Sequence, residues 1–390
     1  MTLDVFALSG ELRAMSALAR DSSRSLAARV AQAWAVLRAE AGDWEFWGEA
    51  AWEQRRRNMP FLVAQPREPM DVAYDTPPCP AEYVIAASDG SQLDASEGLV
   101  PYTVVNVGTV LLRYGVAASY HAQNKPTLRY QPYELSLQDP DTKREYPMRG
   151  VTLAAERDVQ EGWGLYEAAS TFPDDITRLA VQDGTLIRWS LADADPYLQK
   201  RFLGDYLSYL ETMRALGCPV ASYMSKSEQN EVRGLAHFLL ARGDVAHWRG
   251  RFERKADEPF AGIRDHMLFS AHLQPGQRGA RFASLSRILD DYGDNRIEFF
   301  YLNVGREIAR VEFPAWIVEQ GHLETVHALV YDQAQRGMGY PVALQRAHEQ
   351  AVIHETDRRH LDAVIERLLA QAEVSLEATA KTATKLQPRV

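Results

Sequence analysis

The chain has 390 residues, 46% of them hydrophobic, enough for one large or two modest cores. Its net charge of −10 argues against indiscriminate binding to nucleic acid but leaves room for a local basic groove, and acidic metal sites add to such a total. No apolar run approaches the ~18 residues that cross a bilayer. The segment Met1–Val5 has neither a basic nor an apolar leader, and Cys79 and Cys218 lack metal-type spacing, so a cytoplasmic protein with ordinary thiols and no membrane association is expected.

In chain order, Leu12, Met15, Leu18, Leu26, Val30, Ala33, Trp34 and Leu37 recur at helical spacing and predict one long helix over 8–40, packed on a core or on a second subunit. Arg55-Arg56-Arg57 reads as a solvated helix end. The proline-rich stretch from Pro60 to Pro80 reads as an extended connector. The expected organisation is an N-terminal helical region and connector over 1–80, a sheet domain over 81–357 with an irregular insertion at about 242–285, and a C-terminal helix and tail over 358–390.

Tyr83 to Ser88 is apolar and small without a break, and then comes Asp89-Gly90-Ser91. This predicts a buried strand with a carboxylate at its mouth and a turn. Leu179 to Gln182, followed by Asp183-Gly184-Thr185, repeats the idea. Asp-Gly is the commonest signal for a tight hairpin turn, and that reading holds for either copy alone. Two features point instead to a metal site: a Ser or Thr follows each Asp-Gly, and a Glu-rich helix lies between the copies. If both strands share a sheet, Asp89 and Asp183 meet, and two facing carboxylates persist as anions when a divalent metal sits between them.

Strands are predicted at 102–112 and 127–136, with a polar, irregular stretch over 117–125, as in an antiparallel meander. From Val151 to about 170 the pattern is helical. A glutamate from this helix would supply a third carboxylate: Glu161 is the choice and Glu156, one turn away, the reserve, against a solvated charge for either. A helix over 195–216 and a strand over 219–224 follow. Ser225 and Glu228 then match a capping box opening a helix over 228–241. Tyr223 and Lys226 follow the strand to the same edge, where Lys226 faces either solvent or a scissile phosphate whose developing charge it would offset.

In the insertion, Arg249 and Arg251 sit among Trp248 and Phe252, and Arg278 and Arg281 flank a glycine loop. Basic residues interleaved with aromatics suit a nucleic-acid backbone and stacked bases; a solvated charged face is the alternative. A strand pair is expected at 298–303 and 307–313. Helices follow at 322–336 and 341–357 with a break at Gly337–Pro341, and a last helix over 358–382. His348 lies on the same side as Leu344 and Val352, as either a satisfied core histidine or a fourth ligand; spacing alone leaves His322, His327, His354 and His360 as alternatives to it. A set of Asp, Glu, Asp and His suits Mn²⁺ or Mg²⁺, the imidazole tilting preference toward Mn²⁺. The whole is α/β, a mixed sheet flanked by helices.

Ser88-Asp89-Gly90-Ser91, Arg157 with Glu161, Val181 to Ile187, Tyr223 to Lys226, Arg310-Val311-Glu312-Phe313-Pro314, and Gly339-Tyr340-Pro341 through Leu344, Ala347 and His348 resemble, in order and spacing, the NurA nuclease family. The resemblance implies an RNase H-like fold with added N- and C-terminal helices, and a homodimer. It implies a manganese-dependent nuclease acting on single- and double-stranded DNA, as 5′-to-3′ exonuclease and single-strand endonuclease. Its implied partner is HerA, a hexameric ATPase and translocase, in DNA end resection for double-strand break repair. Carried over by motif, Asp89, Glu161, Asp183 and His348 would be the catalytic metal ligands, while Tyr223 and Lys226 match loosely. Two metal ions about 3.5–4 Å apart would activate water and stabilise the leaving oxygen. The competing readings are a scaffold that docks on a ring translocase without cutting, and a glycosidase using Asp89 and Glu161, which would survive EDTA.

Overall fold

The computed structural model describes residues 9–56, 61–94, 100–173, 175–244 and 258–372; Arg249 and Arg251 lie outside them. The chain opens with α1 (Ser9–Ala39) and α2 (Trp44–Arg55), then two short strands, β1 (Ala64–Pro66) and β2 (Ala73–Tyr74). Three long strands follow, β3 (Tyr83–Leu93), β4 (Thr103–Tyr114) and β5 (Ser119–Arg129), with a small hairpin of β6 (Ser136–Gln138) and β7 (Glu145–Pro147). Helix and strand then alternate through α3 (Val151–Ala169), β8 (Thr177–Asp183), α4 (Pro196–Ala215), β9 (Val220–Met224) and α5 (Glu231–Leu240). The rest comprises α6 (Asp265–Ser270), β10 (Arg278–Gly279), β11 (Phe282–Ser284), β12 (Ile297–Asn303), β13 (Ile308–Pro314), α7 (Trp316–Glu319), α8 (Leu323–Arg336), α9 (Val342–Ala351) and α10 (Glu355–Gln371).

One sheet runs β1-β11-β12-β13-β9-β8-β3-β4-β5, with β10 and β2 attached beside β12. β3, β4 and β5 are antiparallel, whereas β8 and β9 run parallel to β3. A meander of three strands followed by two further parallel strands, each entered from a helix, is the mixed sheet expected from the sequence and the RNase H-like arrangement that the resemblance implies. Residues Tyr83 to Ser88 of β3 are all buried because helices cover both faces there, α3 on one and α9 on the other. Parallel strands covered on both sides read as unbroken apolar runs. The β9 and β12–β13 strands are also buried throughout most of their length.

Two cores share the sheet. The larger gathers β3, β8, β9 and β13 with α3, α4, α8 and α9. The second lies at the other end, where Val30, Ala33 and Leu37 of α1 meet α5, α6 and Phe282, Phe299 and Tyr301 of the sheet. Among the described residues, no helix is long and apolar enough to cross a membrane.

Four local expectations are corrected. From Ser119 on, the polar stretch 117–125 is not irregular but belongs to β5, an edge strand exposed along most of its length, which therefore lacks an apolar face to announce it. Asp89-Gly90 makes no turn: β3 continues to Leu93, with Asp89 opposite Gly108 and Gly90 opposite Val107 of β4. The stretch before Pro80 is more than a connector, since β1 forms one edge of the sheet and β2 pairs with β10. The Ser225–Glu228 capping box does not form. Ser225 Oγ donates to Glu307 Oε2 (2.6 Å), Glu228 takes Arg264, and α5 starts at Glu231, its amides at Val232 and Arg233 donating to the buried carboxylate of Asp265 (3.0 and 2.8 Å).

Candidate active site

The register puts the two aspartates side by side. β3 and β8 pair in parallel up to Ser88 opposite Gln182, so Asp89 and Asp183 each stand one residue further on, at the same level of neighbouring strands. There β8 stops: Gly184 takes a positive φ of 80° and turns the chain away, while β3 runs on. The edge of β3 that loses its partner opens as a cleft of about 390 Å³. It is lined by both aspartates, by Arg157, Asp158 and Glu161 of α3, and by the loop from Gly184 to Ser190.

Glu161 enters through a gap left by a glycine. Gly90 faces α3, and a Cβ there would sit on Glu161 Oε1, 2.8 Å from Arg157 Cγ and 2.9 Å from Glu161 Cγ. The missing side chain thus lets α3 bring a carboxylate against the strand that carries Asp89. Burial pushes the Glu161 carboxyl up to about 8; Asp158 and Asp89 add to this, and Arg157, at 3.1 Å from Oε1, opposes it. Burial also raises Asp183, whose carboxylate accepts a hydrogen bond from Tyr340 that pulls the other way, while the charge of Asp89 raises it further.

His348 arrives on α9 from the opposite face. Gly108, the register partner of Asp89, is the second close approach: a Cβ there would lie 2.5 Å from Ala347 O and from Ala351 N. The last turn of α9 is pinned by Asn106 Nδ2 donating to Ala351 O (2.8 Å) and by the Ser91 hydroxyl donating to the same carbonyl. His348 Nδ1 then lies 2.7 Å from Asp89 Oδ2. The imidazole is not a core residue: its side chain is 64% exposed, while Leu344, Ala347 and Ala351 bury the helix.

Other residues singled out by the sequence lie elsewhere. Glu156 accepts from Arg129 Nη2 of β5 at 2.6 Å, away from the cleft lining. Tyr223 is buried behind the site; its hydroxyl donates toward Glu307 Oε1 (2.7 Å), and its ring meets Tyr340 edge-on. Lys226 is exposed in a left-handed turn after β9 (φ 42°) and does not line the cleft. Arg278 and Arg281 are not an open phosphate contact. Arg278 is buried over the Tyr74 ring and pairs with Glu68 (2.9 Å), and Arg281 pairs with Glu298 (2.6 Å), so internal carboxylates already neutralise both.

Two cleft residues, Asp158 and Arg188, and Tyr340 behind Asp183 were not singled out by the sequence as site groups. Asp158 bridges Arg157 (3.0 Å) and Arg188 (2.9 Å), Arg188 lies over the Tyr206 ring, and Tyr340 holds Asp183. Arg157 and Glu161 carried a visible signal, an i,i+4 pair on one helix face; Arg188 and Asp158, from separate elements, carried none. A second groove, about 330 Å³ between α3 and the β4–β5 edge, offers only His121 and the Lys125–Glu167 pair as titratable groups and no facing carboxylates.

The donor chemistry fits a hard divalent cation: three carboxylates and an imidazole around one cleft, with the Gly90 notch admitting the third. They do not form a ready cage. Among the described residues no group of three or more His, Cys, Asp or Glu is arranged to hold a metal ion; Asp89 engages His348, Glu161 engages Arg157 and Asp183 engages Tyr340.

The fold is similar to the NurA nuclease from Sulfolobus solfataricus, with a TM-score of 0.50 and 9% identity over 84% of this chain and 92% of that one. A NurA structure with manganese matches at a TM-score of 0.38 and 12% identity, over 76% of this chain and 91% of that one. No curated relative matches the sequence. The NurA domain model matches residues 83–353, from the first residue of β3 to just past the end of α9. Because that span takes in every element reaching the cleft and well over half of the chain, the chain belongs to the NurA family.

Proposed function

We propose that the protein is a metal-dependent deoxyribonuclease that hydrolyses phosphodiester bonds at this cleft. One observation carries the reading: Asp89 and Asp183 stand level on neighbouring parallel strands, with Glu161 admitted beside them through the Gly90 notch. Asp89, Glu161 and Asp183, with His348 as the fourth donor, are the residues that would hold the ions, Mn²⁺ by preference and Mg²⁺ as a substitute, two to a site. When bound, such ions lower the pKa of a coordinated water and neutralise charge on the phosphate and the leaving 3′ oxygen.

The protein's own groups supply the rest. The charge of Asp89 is felt by both Asp183 and Glu161, so Asp89 is the carboxylate that would be shared if two ions were held. His348 and Tyr340 orient Asp89 and Asp183 through their hydrogen bonds. Arg157, partly exposed on the cleft wall, is the cation placed to meet a non-bridging phosphate oxygen, a role that Lys226 does not have the position to fill. No side-chain nucleophile is needed. Family membership supports the finer reading: 5′-to-3′ exonuclease and single-strand endonuclease activity on single- and double-stranded DNA, a cytoplasmic homodimer, and partnership with a HerA-type hexameric ATPase in end resection for double-strand break repair.

The test is cleavage of single-stranded DNA labelled at either end, with Mn²⁺, Mg²⁺ or EDTA. Wild-type cutting should require metal and disappear in Asp89→Ala. Arg157→Ala should lose about 2 kcal/mol of transition-state stabilisation, some thirtyfold in rate, while Lys226→Ala stays within a factor of two. Absence of cutting under every metal, with and without a HerA-type ATPase, would move the protein to a scaffold role. Cutting that survives EDTA would favour a metal-free hydrolase.

A further inference from the structure

The stretch Arg310-Val311-Glu312 on β13 has no part in the chemistry above, yet it holds a fully buried charge cluster. Arg310, Glu231 and Glu312 are all 0% exposed. Arg310 Nη2 pairs with Glu231 Oε1 at 2.7 Å, its Nε with Glu312 Oε1 at 2.8 Å, and its guanidinium lies 3.5 Å over the Phe299 ring. The other oxygen of Glu312 leaves the cluster. It accepts from Thr185 Oγ1 and from the Leu186 amide, both at 2.8 Å.

We infer that Glu312, backed by Arg310, is a positioning residue that holds the loop after Asp183 against the cleft. Glu312 pairs in register with Ser222 of β9, and Ser222 with Gln182 of β8, so the three share a face. The short serine leaves the glutamate a path across β9 to the loop. That loop pivots at Gly184 and supplies Thr185, Ile187 and Arg188 to the cleft wall. Tyr292 is its second anchor, its hydroxyl donating to Leu186 O (3.0 Å) and accepting from the Arg188 amide (2.8 Å). A buried charged cluster is a costly way to fill a core that apolar side chains would fill as well. Here it gives a directional, charge-assisted grip on two donors of one loop, and Glu231 ties that grip to the first turn of α5 in the second core.

The inference rests on the nuclease reading only for its effect on rate. The test pairs Glu312→Asp, which keeps the charge beside Arg310 but withdraws the carboxylate by about one bond length, with Glu312→Gln, which keeps the reach and loses the charge. Hydrogen exchange at the Leu186 amide and steady-state cleavage are measured on the full chain. E312D should exchange roughly tenfold faster at Leu186 and cut roughly tenfold more slowly at saturating metal, with KM for a single-stranded oligonucleotide within twofold. E312Q, whose single amide oxygen can still accept from the loop but without the charge, should change less than E312D in both while melting at a lower temperature. A folded E312D with wild-type exchange and kcat would overturn the assignment. So would equal losses in both variants that track Tm, since that is what a merely structural pair produces. If E312D does not fold, Thr185→Val, which removes the donor to Glu312 together with the acceptor of the Ile187 amide and leaves the ion pair, decides: Leu186 exchange should rise severalfold, and no rise refutes the grip. A wild-type chain that fails to cut would sink the nuclease reading alone, because the exchange contrast needs no substrate.

Discussion

Gly108→Ala isolates the packing that delivers His348. The added Cβ would stand 2.5 Å from Ala347 O, 2.5 Å from Ala351 N and 2.7 Å from Gln350 Cβ, where an ordinary contact begins at 3.4 Å. Two of these neighbours are backbone, so no side chain can swing aside, and α9 must lift by about 0.9 Å. Overpacking of this kind costs about 1–3 kcal/mol. The lift also stretches the hydrogen bonds of Ser91 and Asn106 to Ala351 O, each worth about 1 kcal/mol. It carries the imidazole with it, taking the 2.7 Å His348–Asp89 bond beyond hydrogen-bonding range. A misplacement of about 1 Å at a reacting centre costs about a hundredfold in rate. The assay is a thermal melt together with metal-dependent cleavage. Tm should fall by several degrees and cleavage by one to two orders of magnitude at saturating metal. Gly42→Ala is the control: nothing lies within 4 Å of its Cβ position, and it should be neutral in both. A Gly108→Ala protein with wild-type melting and wild-type cleavage would refute the claim that α9 is held at the site by that glycine.

The two glutamates of α3 should part company in the cleavage assay. Glu156→Gln, tied to Arg129 outside the cleft, should keep activity within about twofold, whereas Glu161→Gln should lose at least about a hundredfold; comparable losses would mean that the Gly90 notch does not select the ligand. Acid stability should depend on His327, which is buried, with Nε2 2.8 Å from Gly276 O, and whose pKa burial lowers to about 4. The folded state binds fewer protons than the unfolded one, so this stabilisation is present above the ordinary histidine value near 6.5 and is lost as pH falls through 4, at most about 3 kcal/mol. Urea melts from pH 7 to 4 should show that slope in the wild type and a shallower one in His327→Gln; identical slopes would show that another group sets the acid limit.

How much of this was legible in the sequence depended on the range of the interaction. Tyr83 to Ser88 and Leu179 to Gln182 could be read as buried strands because apolar runs of that length report burial on both faces. The helices of α1, α3 and α4 could be read because their apolar residues repeat at 3.6. The aspartates could be paired on paper only on the condition that both strands share a sheet; the structure meets it, with β3 and β8 parallel and equivalent residues at the same end. β5 escaped notice because an exposed edge strand carries no periodic apolar face.

What only the tertiary structure decided was the partner of each charge. Arg278 and Arg281 look like a phosphate-binding pair in a line of text; in space Glu68 and Glu298 neutralise them. Lys226 looks placed for the scissile phosphate, but the cleft takes its cations from Arg157 and Arg188, which reach it from a helix and a loop. Glu161 rather than Glu156 faces the aspartates because residues five apart lie on different sides of a helix: Glu161, with Arg157, is the side of α3 that meets Gly90 of β3, and Glu156 turns to Arg129 of β5. Hydrophobic periodicity is written locally, residue by residue, so the elements can be read from it. Coulomb partners and steric gaps are set by residues tens to hundreds of positions apart, and no local pattern records which of them will meet.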